Sequence, residues 1–556
     1  MRLLVVISLT LACFQAFSQD GTISIIVDSS KPIGEMKPIW SFFGYDEPNY
    51  TTRNNGKKLL TELMELSPVP VSVRAHNLLT SRGNSTRADL KWGYTDAFKE
   101  DEKGHPIYNW HVVDSIVDTY TQRGMKPLME IGFMPKDLSS KPNPYEHTWS
   151  NGGNLWTGWT QPPKDYNKWR ELVYQWVKHT VERYGKAEVA TWLWEVWNEP
   201  DISYWSGTFE EYCKLYDFAA DGLKRACPEC TIGGPHTTSP RSEKAYKYLT
   251  DFIEHCLHGK NYATGKMGTP LQYVGFHAKG SPEFVDGHIR MNMAVQLKDI
   301  QRAFEAVNSF PELKNIPIII GECDPEGCAA CSEKRDPKYG YRNGTMYSSY
   351  TASSFARIYE LMDQYKVNLK GVVSWSFEFE DQEWFAGFRE LATHGVDKPV
   401  LNVFRMFGLM SGERLTVTSE HGKSVTDIIN NGIRKDNDIN AMASKDDNSI
   451  SVLVWNYHDD DVAGEPSSVE LTIKEIPSKK VVAQHYRIDS QFSNSFEKWK
   501  AMGKPQELSE ARYAELEKSG QLQLLTSPEW KEVKDGKLVL KFNLPRQGVS
   551  LVKLSW

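Results

Sequence analysis

The chain has no run or stripe of basic residues; its net charge is -7 over 556 residues. Phosphate backbones are held by clustered Lys and Arg, so no nucleic-acid partner is expected. Past the N-terminus no apolar run reaches the 18 or so residues of a membrane span, so none is predicted. No internal repeat or low-complexity tract occurs, and no Gly-rich phosphate turn follows the first predicted strand, which counts against a dinucleotide-binding sheet. Cysteine is sparse, at 8 residues. Cys227-Pro-Glu-Cys230 and Cys328-Ala-Ala-Cys331 could supply four thiolates to zinc, but neither sits in a knuckle-like context, so no metal or cofactor is expected.

Aromatic residues are abundant: 18 Trp and 25 Tyr. Flat rings with a polar edge suit stacking on sugars, and large cores would also consume them. A hydrophobic share of 40% with 25% charged residues is that of a folded globular protein. At this length more than one packed unit is expected. The N-terminus carries Arg2, an apolar stretch and small residues at Ala16 and Ser18, the pattern of a secretory signal cut between Ser18 and Gln19. The protein is therefore expected to be secreted or periplasmic; Cys13 fits a lipid-anchor motif poorly. Export permits disulfides, and the seven cysteines left after cleavage include at least one free thiol.

From about residue 39 to 410, short apolar runs alternate with amphipathic stretches, the βαβα pattern of a parallel sheet covered by helices. Eight strands are predicted, beginning near Ile39, Pro70, Lys126, Thr191, Thr231, Gln272, Ile316 and Gly371. The stretch between Lys164 and Gly185 shows why the intervening segments are helical: Trp169, Leu172, Val173, Trp176 and Val177 recur on one face. The fold class is α/β, a (β/α)8 barrel, with an open doubly wound sheet as the alternative. Beyond Gly412 the runs alternate and are joined by turns, as in an antiparallel β-sandwich. The expected organisation is a signal peptide at 1–18, a strand segment at 19–38 joining the sandwich, the barrel at 39–410 and the sandwich at 411–556.

In such barrels the reactive groups stand at the C-terminal ends of strands. The fourth predicted strand, "TWLWEVWN", ends on Asn198-Glu199-Pro200-Asp201, and the seventh, "IPIIIGE", on Glu322. A helix cap is the plain alternative for Asn198, and an exposed loop acid for Glu322. Two carboxylates meeting across one bond are what glycoside hydrolysis requires: a proton donor for the leaving oxygen and an anion for the anomeric carbon. A separation of about 5–5.5 Å gives retention, and about 6.5–9.5 Å inversion. Other exits carry His76, His277, Lys279 and, on the eighth strand, Trp375 with Glu378 nearby. Trp375 could floor a sugar site, and the neighbouring acids count against a uronate there.

"WNEPD" and "IIIGECDPEG" in a chain of eight βα units resemble glycoside hydrolase family 39, the β-xylosidases and α-L-iduronidases. "KPVLNVFRMFGLM" before the sandwich fits it too. Phe252 to Gly280 is nearer the α-L-iduronidases. The resemblance implies a retaining exo-glycosidase acting on a terminal xyloside, iduronide or related pyranoside, with Glu199 as acid/base and Glu322 as nucleophile. It further implies that Asn198 holds the sugar 2-hydroxyl, that His76 and His277 bind the sugar, and that Lys279 lies near a uronate carboxylate. The Cys-bearing loop after Glu322 departs from the family pattern. An endo-acting barrel glycanase is the same-fold rival, and a carbohydrate-binding protein without turnover the rival of another class.

Overall fold

A computed structural model describes residues 21–82, 93–148, 154–156, 158–375, 378–380 and 382–556. The predicted signal segment with Cys13, and the glycosylation triplet at Asn84, lie outside the described residues.

The strands of the α/β region are β2 (Phe42–Tyr45), β3 (Ser72–Ala75), β4 (Lys126–Ile131), β5 (Leu193–Val196), β6 (Thr231–Thr237), β7 (Val274–Lys279), β8 (Pro317–Asp324) and β9 (Asn368–Trp375). They close into a barrel in sequential order, every neighbouring pair parallel. All eight expected strands are present, shifted by a few residues at most. Each is followed by a helix: α1 (Asn54–Glu65), α2 (His111–Thr121), α3 (Tyr166–Tyr184), α4 (Phe209–Ala226), α5 (Glu243–His258), α6 (Met293–Asn308), α7 (Thr345–Tyr365) and α8 (Leu401–Gly408).

Three of the barrel helices, α3, α4 and α5, begin under a side-chain cap. Asp165 accepts from the amides of Asn167 and Lys168 to start α3, whose Trp169, Leu172, Val173, Trp176 and Val177 are buried as the spacing predicts. Most of the tryptophan content serves the core: Trp40, Trp169, Trp176, Trp192, Trp194 and Trp197 are fully buried.

The second region is one continuous nine-stranded sheet. It contains β1 (Ile23–Glu35), β10 (Glu413–Ser419), β11 (Asp438–Lys445), β12 (Ser449–Tyr457), β13 (Ser467–Lys474), β14 (Lys480–Ile488), β15 (Gln523–Glu532), β16 (Leu538–Leu544) and β17 (Val549–Ser555). The order is β15-β14-β17-β12-β11-β10-β1-β13-β16. Only β1 with β13 is parallel; the chain thus crosses to this sheet before entering the barrel. One apolar cluster runs along a face of this sheet from Val481 and Val552 to Val469 and Leu538, so the region is a single mostly antiparallel sheet where a sandwich was expected.

Strand periodicity sorts the two faces of β12. Leu453, Trp455 and Tyr457 join the barrel's core, and Ile450, Val452 and Val454 join that of the sheet. A buried ion pair ties the two: Arg357 on α7 lies 2.8 Å from Asp438 on β11. Between β14 and β15, helices α9 (Ser495–Ala501) and α10 (Glu510–Gly520) pack Trp499 and Leu516 on Trp384, Phe385 and Val396, in the segment that follows β9. None of the described helices is long and apolar enough to cross a membrane.

Candidate active site

The apolar run of β5 ends at Val196, and the chain then turns sharply. Trp197 and Glu199 adopt φ of 72° and 45°, a conformation that L side chains enter only when their surroundings enforce it. Two contacts do so: the Glu199 amide donates to the His236 carbonyl at 3.0 Å, and the Trp197 indole donates to the Tyr204 carbonyl at 2.7 Å. Asn198 is not a helix cap, since α4 starts later under Thr208. Its Oδ1 accepts from Arg74 at 3.0 Å.

Register brings the partners together. His277 on β7 stands beside Glu322 on β8, and Lys279 beside Asp324. Carboxylate oxygens of Glu199 and Glu322 and a ring nitrogen of His277 all lie within 4.8 Å of one another. His277 Nδ1 is 2.8 Å from Glu199 and 3.6 Å from Glu322. These three could offer ligands to a metal. Lys279 Nζ at 2.6 Å and Arg74 Nη1 at 3.2 Å already bring positive charge to Glu322, which works against a cation there.

The two acids sit in opposite fields. Burial, then the neighbouring Glu322 anion, pushes Glu199 well above the ordinary carboxylate range, so it holds its proton. Burial alone would raise Glu322 as well, but the Lys279 and Arg74 cations hold it well below that range. Burial drives His277 far down, leaving the ring neutral. Lys279 is kept charged against its burial by Asp324 and Glu322. One protonated and one ionised carboxyl facing each other are the acid and the anion of a glycosyl transfer to water.

They open into a cavity of about 180 Å³ at the C-terminal mouth of the barrel. Its polar lining is Asp46, His76, Asn198, Glu199 and Glu322; Tyr204 and Trp375 supply rings, and Gly327 to Ala329 one wall. His76 is fixed by Asp46 at 2.9 Å and Glu130 at 3.2 Å, with Trp375 packed against its ring at 4.2 Å.

His277 and Lys279 are absent from that lining and stand behind the carboxylates. The resemblance placed Lys279 near a uronate; its ammonium is instead occupied by Glu322 and by Asp324 at 2.9 Å. Glu378 was expected beside the sugar and does not line the cavity. It lies three residues past the end of β9, buried, where its carboxyl accepts from the Gly395 amide at 2.6 Å. Cys227–Cys230 and Cys328–Cys331 form two separate disulfides, so the pairs do not assemble a zinc site. Asn343, in a glycosylation triplet, is buried with its amide on the Phe385 carbonyl.

Sequence reasoning missed the polar floor beneath the site. Arg74, fully buried, reaches Glu195 at 2.7 Å, Glu322 at 3.2 Å and Glu130 at 3.4 Å. Glu195 in turn pairs with His236 at 2.7 Å. The signal was present as single charged residues inside the apolar runs "VSVRAH", "PLMEIG" and "LWEVW". Asp46, at the exit of β2, was also overlooked.

A closed (β/α)8 barrel with a protonated and an ionised glutamate facing one another at its mouth defines a glycoside hydrolase. Comparison with known proteins narrows the class: residues 24–529 match the model of glycosyl hydrolases family 39. The chain belongs to that family and is a retaining, exo-acting glycosidase. It is 28% identical over 469 residues to a β-xylosidase of Geobacillus stearothermophilus, covering 81% of each chain. To the mouse α-L-iduronidase it is 25% identical over 511 residues, 86% of this chain and 73% of that one. Among solved structures, a monomeric β-xylosidase from Caulobacter crescentus superposes with a TM-score of 0.73 at 20% identity, over 96% of this chain and 99% of that one.

Proposed function

We propose that Glu199 is the acid/base and Glu322 the nucleophile of a double displacement that releases a single uncharged pyranose from the end of a glycan. The opposed protonation states of two carboxyls within 4.8 Å carry this reading. Glu322 attacks the anomeric carbon as Glu199 passes its proton to the departing oxygen, leaving a glycosyl ester on Glu322. Glu199, now a carboxylate, removes a proton from water, whose oxygen displaces Glu322 and restores both groups. His277, neutral and 2.8 Å from Glu199, holds that carboxyl toward the cleft. Arg74 and Lys279 stabilise the departing Glu322 anion in the second step.

Charge selects the sugar. The cavity lining carries Asp46, Glu199 and Glu322, and no Lys or Arg among the described residues. A uronate carboxylate there finds no cation in the described lining and meets the Glu322 anion, so a xyloside or other neutral glycoside is favoured. The N-terminal segment and two disulfides support export to an oxidising compartment.

A panel of nitrophenyl xyloside, arabinoside and iduronide, with product configuration followed by NMR, tests the reading. Cleavage of a neutral glycoside with retention is expected, together with loss of covalent labelling by a 2-fluoro analogue in Glu322→Gln. Preference for the iduronide overturns the neutral-sugar assignment; inversion overturns the role of Glu322.

A further inference from the structure

The Cys-bearing loop after β8 is the part of the chain that the family pattern does not account for, and it borders the catalytic cavity. Gly327, Cys328 and Ala329 line that cavity opposite no regular element of their own. A loop of small residues would ordinarily be a yielding wall, because none of its side chains packs deeply. Here it is clamped from behind.

The Cys328–Cys331 disulfide closes the turn. The fully buried Arg342 guanidinium then gathers its carbonyls: Nη2 donates to Cys328 at 2.6 Å, and Nη1 to Cys331 at 2.7 Å and Gly387 at 2.9 Å. Glu326 fixes Arg342 in turn at 2.6 Å and Arg389 at 2.9 Å. Burial would raise Glu326, yet the two guanidiniums and the Tyr341 hydroxyl hold it below its ordinary range, so the clamp is ionic. Arg389 extends it to the cavity's aromatic ring, donating from Nε to the Trp375 carbonyl at 2.7 Å, while its amide donates to Ala329 at 3.0 Å. Arg389 thus ties the backbone of the wall to the backbone of Trp375.

We infer that the disulfide-closed segment Gly327–Ala329 is a specificity-determining wall that fits the cavity to one terminal sugar ring. This rests on the catalytic reading given above, with Glu199 and Glu322 supplying the chemistry and the wall supplying only the fit. The wall itself contributes no charge to either carboxylate; its clamp meets their network only one contact removed, where Arg389 lies 3.5 Å from Asp324. Loosening it therefore weakens binding of the ring while sparing the chemical step.

The test is a Cys328→Ala/Cys331→Ala variant of the full chain, assayed on the aryl glycoside that the parent cleaves, with the released monosaccharide as inhibitor. KM and the inhibition constant are expected to rise together, about tenfold, with kcat within about threefold of the parent. A Cys227→Ala/Cys230→Ala variant, whose disulfide lies away from the cavity, is expected to keep the parental KM. If the first variant does not fold, phosphine reduction of the folded Cys227→Ala/Cys230→Ala protein opens the same bond and is expected to give the same rise. Parental KM in the opened protein, or a fall in kcat at constant KM, overturns the proposal. Because parent and Glu322→Gln are assayed alongside, failure of the wall is distinguishable from failure of the catalytic assignment, which would leave Glu322→Gln as active as the parent.

Discussion

Glu199 and Glu322, far apart in sequence, bring carboxylate oxygens within 4.8 Å of each other, and His277 Nδ1 lies between them at 2.8 Å and 3.6 Å. Oxygens this close lie well inside the roughly 6.5 Å at which a water begins to fit between the two carboxyls, which favours direct attack. The Glu322 anion also helps set the protonation of Glu199, which makes the pair testable.

Glu199 owes part of its raised pKa to the Glu322 anion. Replacing Glu322 with Gln removes that charge and leaves burial as the remaining cause. Carbon-13 NMR of labelled glutamate is expected to show Glu199 titrating at lower pH in Glu322→Gln than in the parent. An unchanged titration contradicts the coupling.

Glu199→Ala is expected to lower kcat/KM by about 10²–10⁴ on substrates with poor leaving groups, where proton donation is needed. On nitrophenyl glycosides the first step should survive and the second become limiting. Added azide, which needs no base, is expected to restore turnover and yield a glycosyl azide of retained configuration. No rescue would move the acid/base role to another residue.

Lys279 is the largest favourable influence on the Glu322 charge. In Lys279→Met the nucleophile's pKa rises, so the acidic limb of the kcat/KM profile is expected to move to higher pH. The basic limb, governed by Glu199, moves less. A profile that falls uniformly without shifting would show Lys279 to be merely structural.

Glu378 is buried, and burial followed by the nearby Glu390 raises its pKa from 4.5 to about 8. The folded protein therefore binds the proton more tightly than the unfolded chain. The stabilisation is complete below the unfolded value and is lost as pH rises toward 8, by at most about 1.4 kcal/mol per pH unit. Thermal unfolding of the parent is expected to fall between pH 5 and 8.5 more steeply than that of Glu378→Gln. Parallel curves would contradict a buried neutral Glu378.

Arg357 and Asp438 form a buried pair between barrel and sheet. Asp438→Ala leaves the buried guanidinium with only the partly exposed Glu360 as counter-charge and removes the acceptor of the Trp455 indole, and is expected to cost about 3–5 kcal/mol in chemical denaturation. The double variant Arg357→Met/Asp438→Ala should recover much of that loss, since the cost lies in the stranded charge.

The eight barrel strands were legible because strands covered on both faces read as unbroken apolar runs, and Glu199 and Glu322 because a carboxylate ending such a run has few structural reasons to be there. Glu378 shows the limit: proximity to a strand end in sequence does not give direction, and its carboxyl is taken by the Gly395 amide instead of lining the cavity. Lys279 shows another, since neighbouring Asp324 and Glu322 claim its charge.

Local sequence alone determined the alternation of strand and helix, the caps, and which acids stand at strand exits, because these follow from period and from groups a few residues apart. Tertiary structure decided which acid keeps its proton, that buried Arg74, Glu130 and Glu195 form a connected polar floor, and that a cysteine loop walls the cavity. Protonation depends on burial and on charges brought in from other strands, and those distances exist only once the barrel has closed.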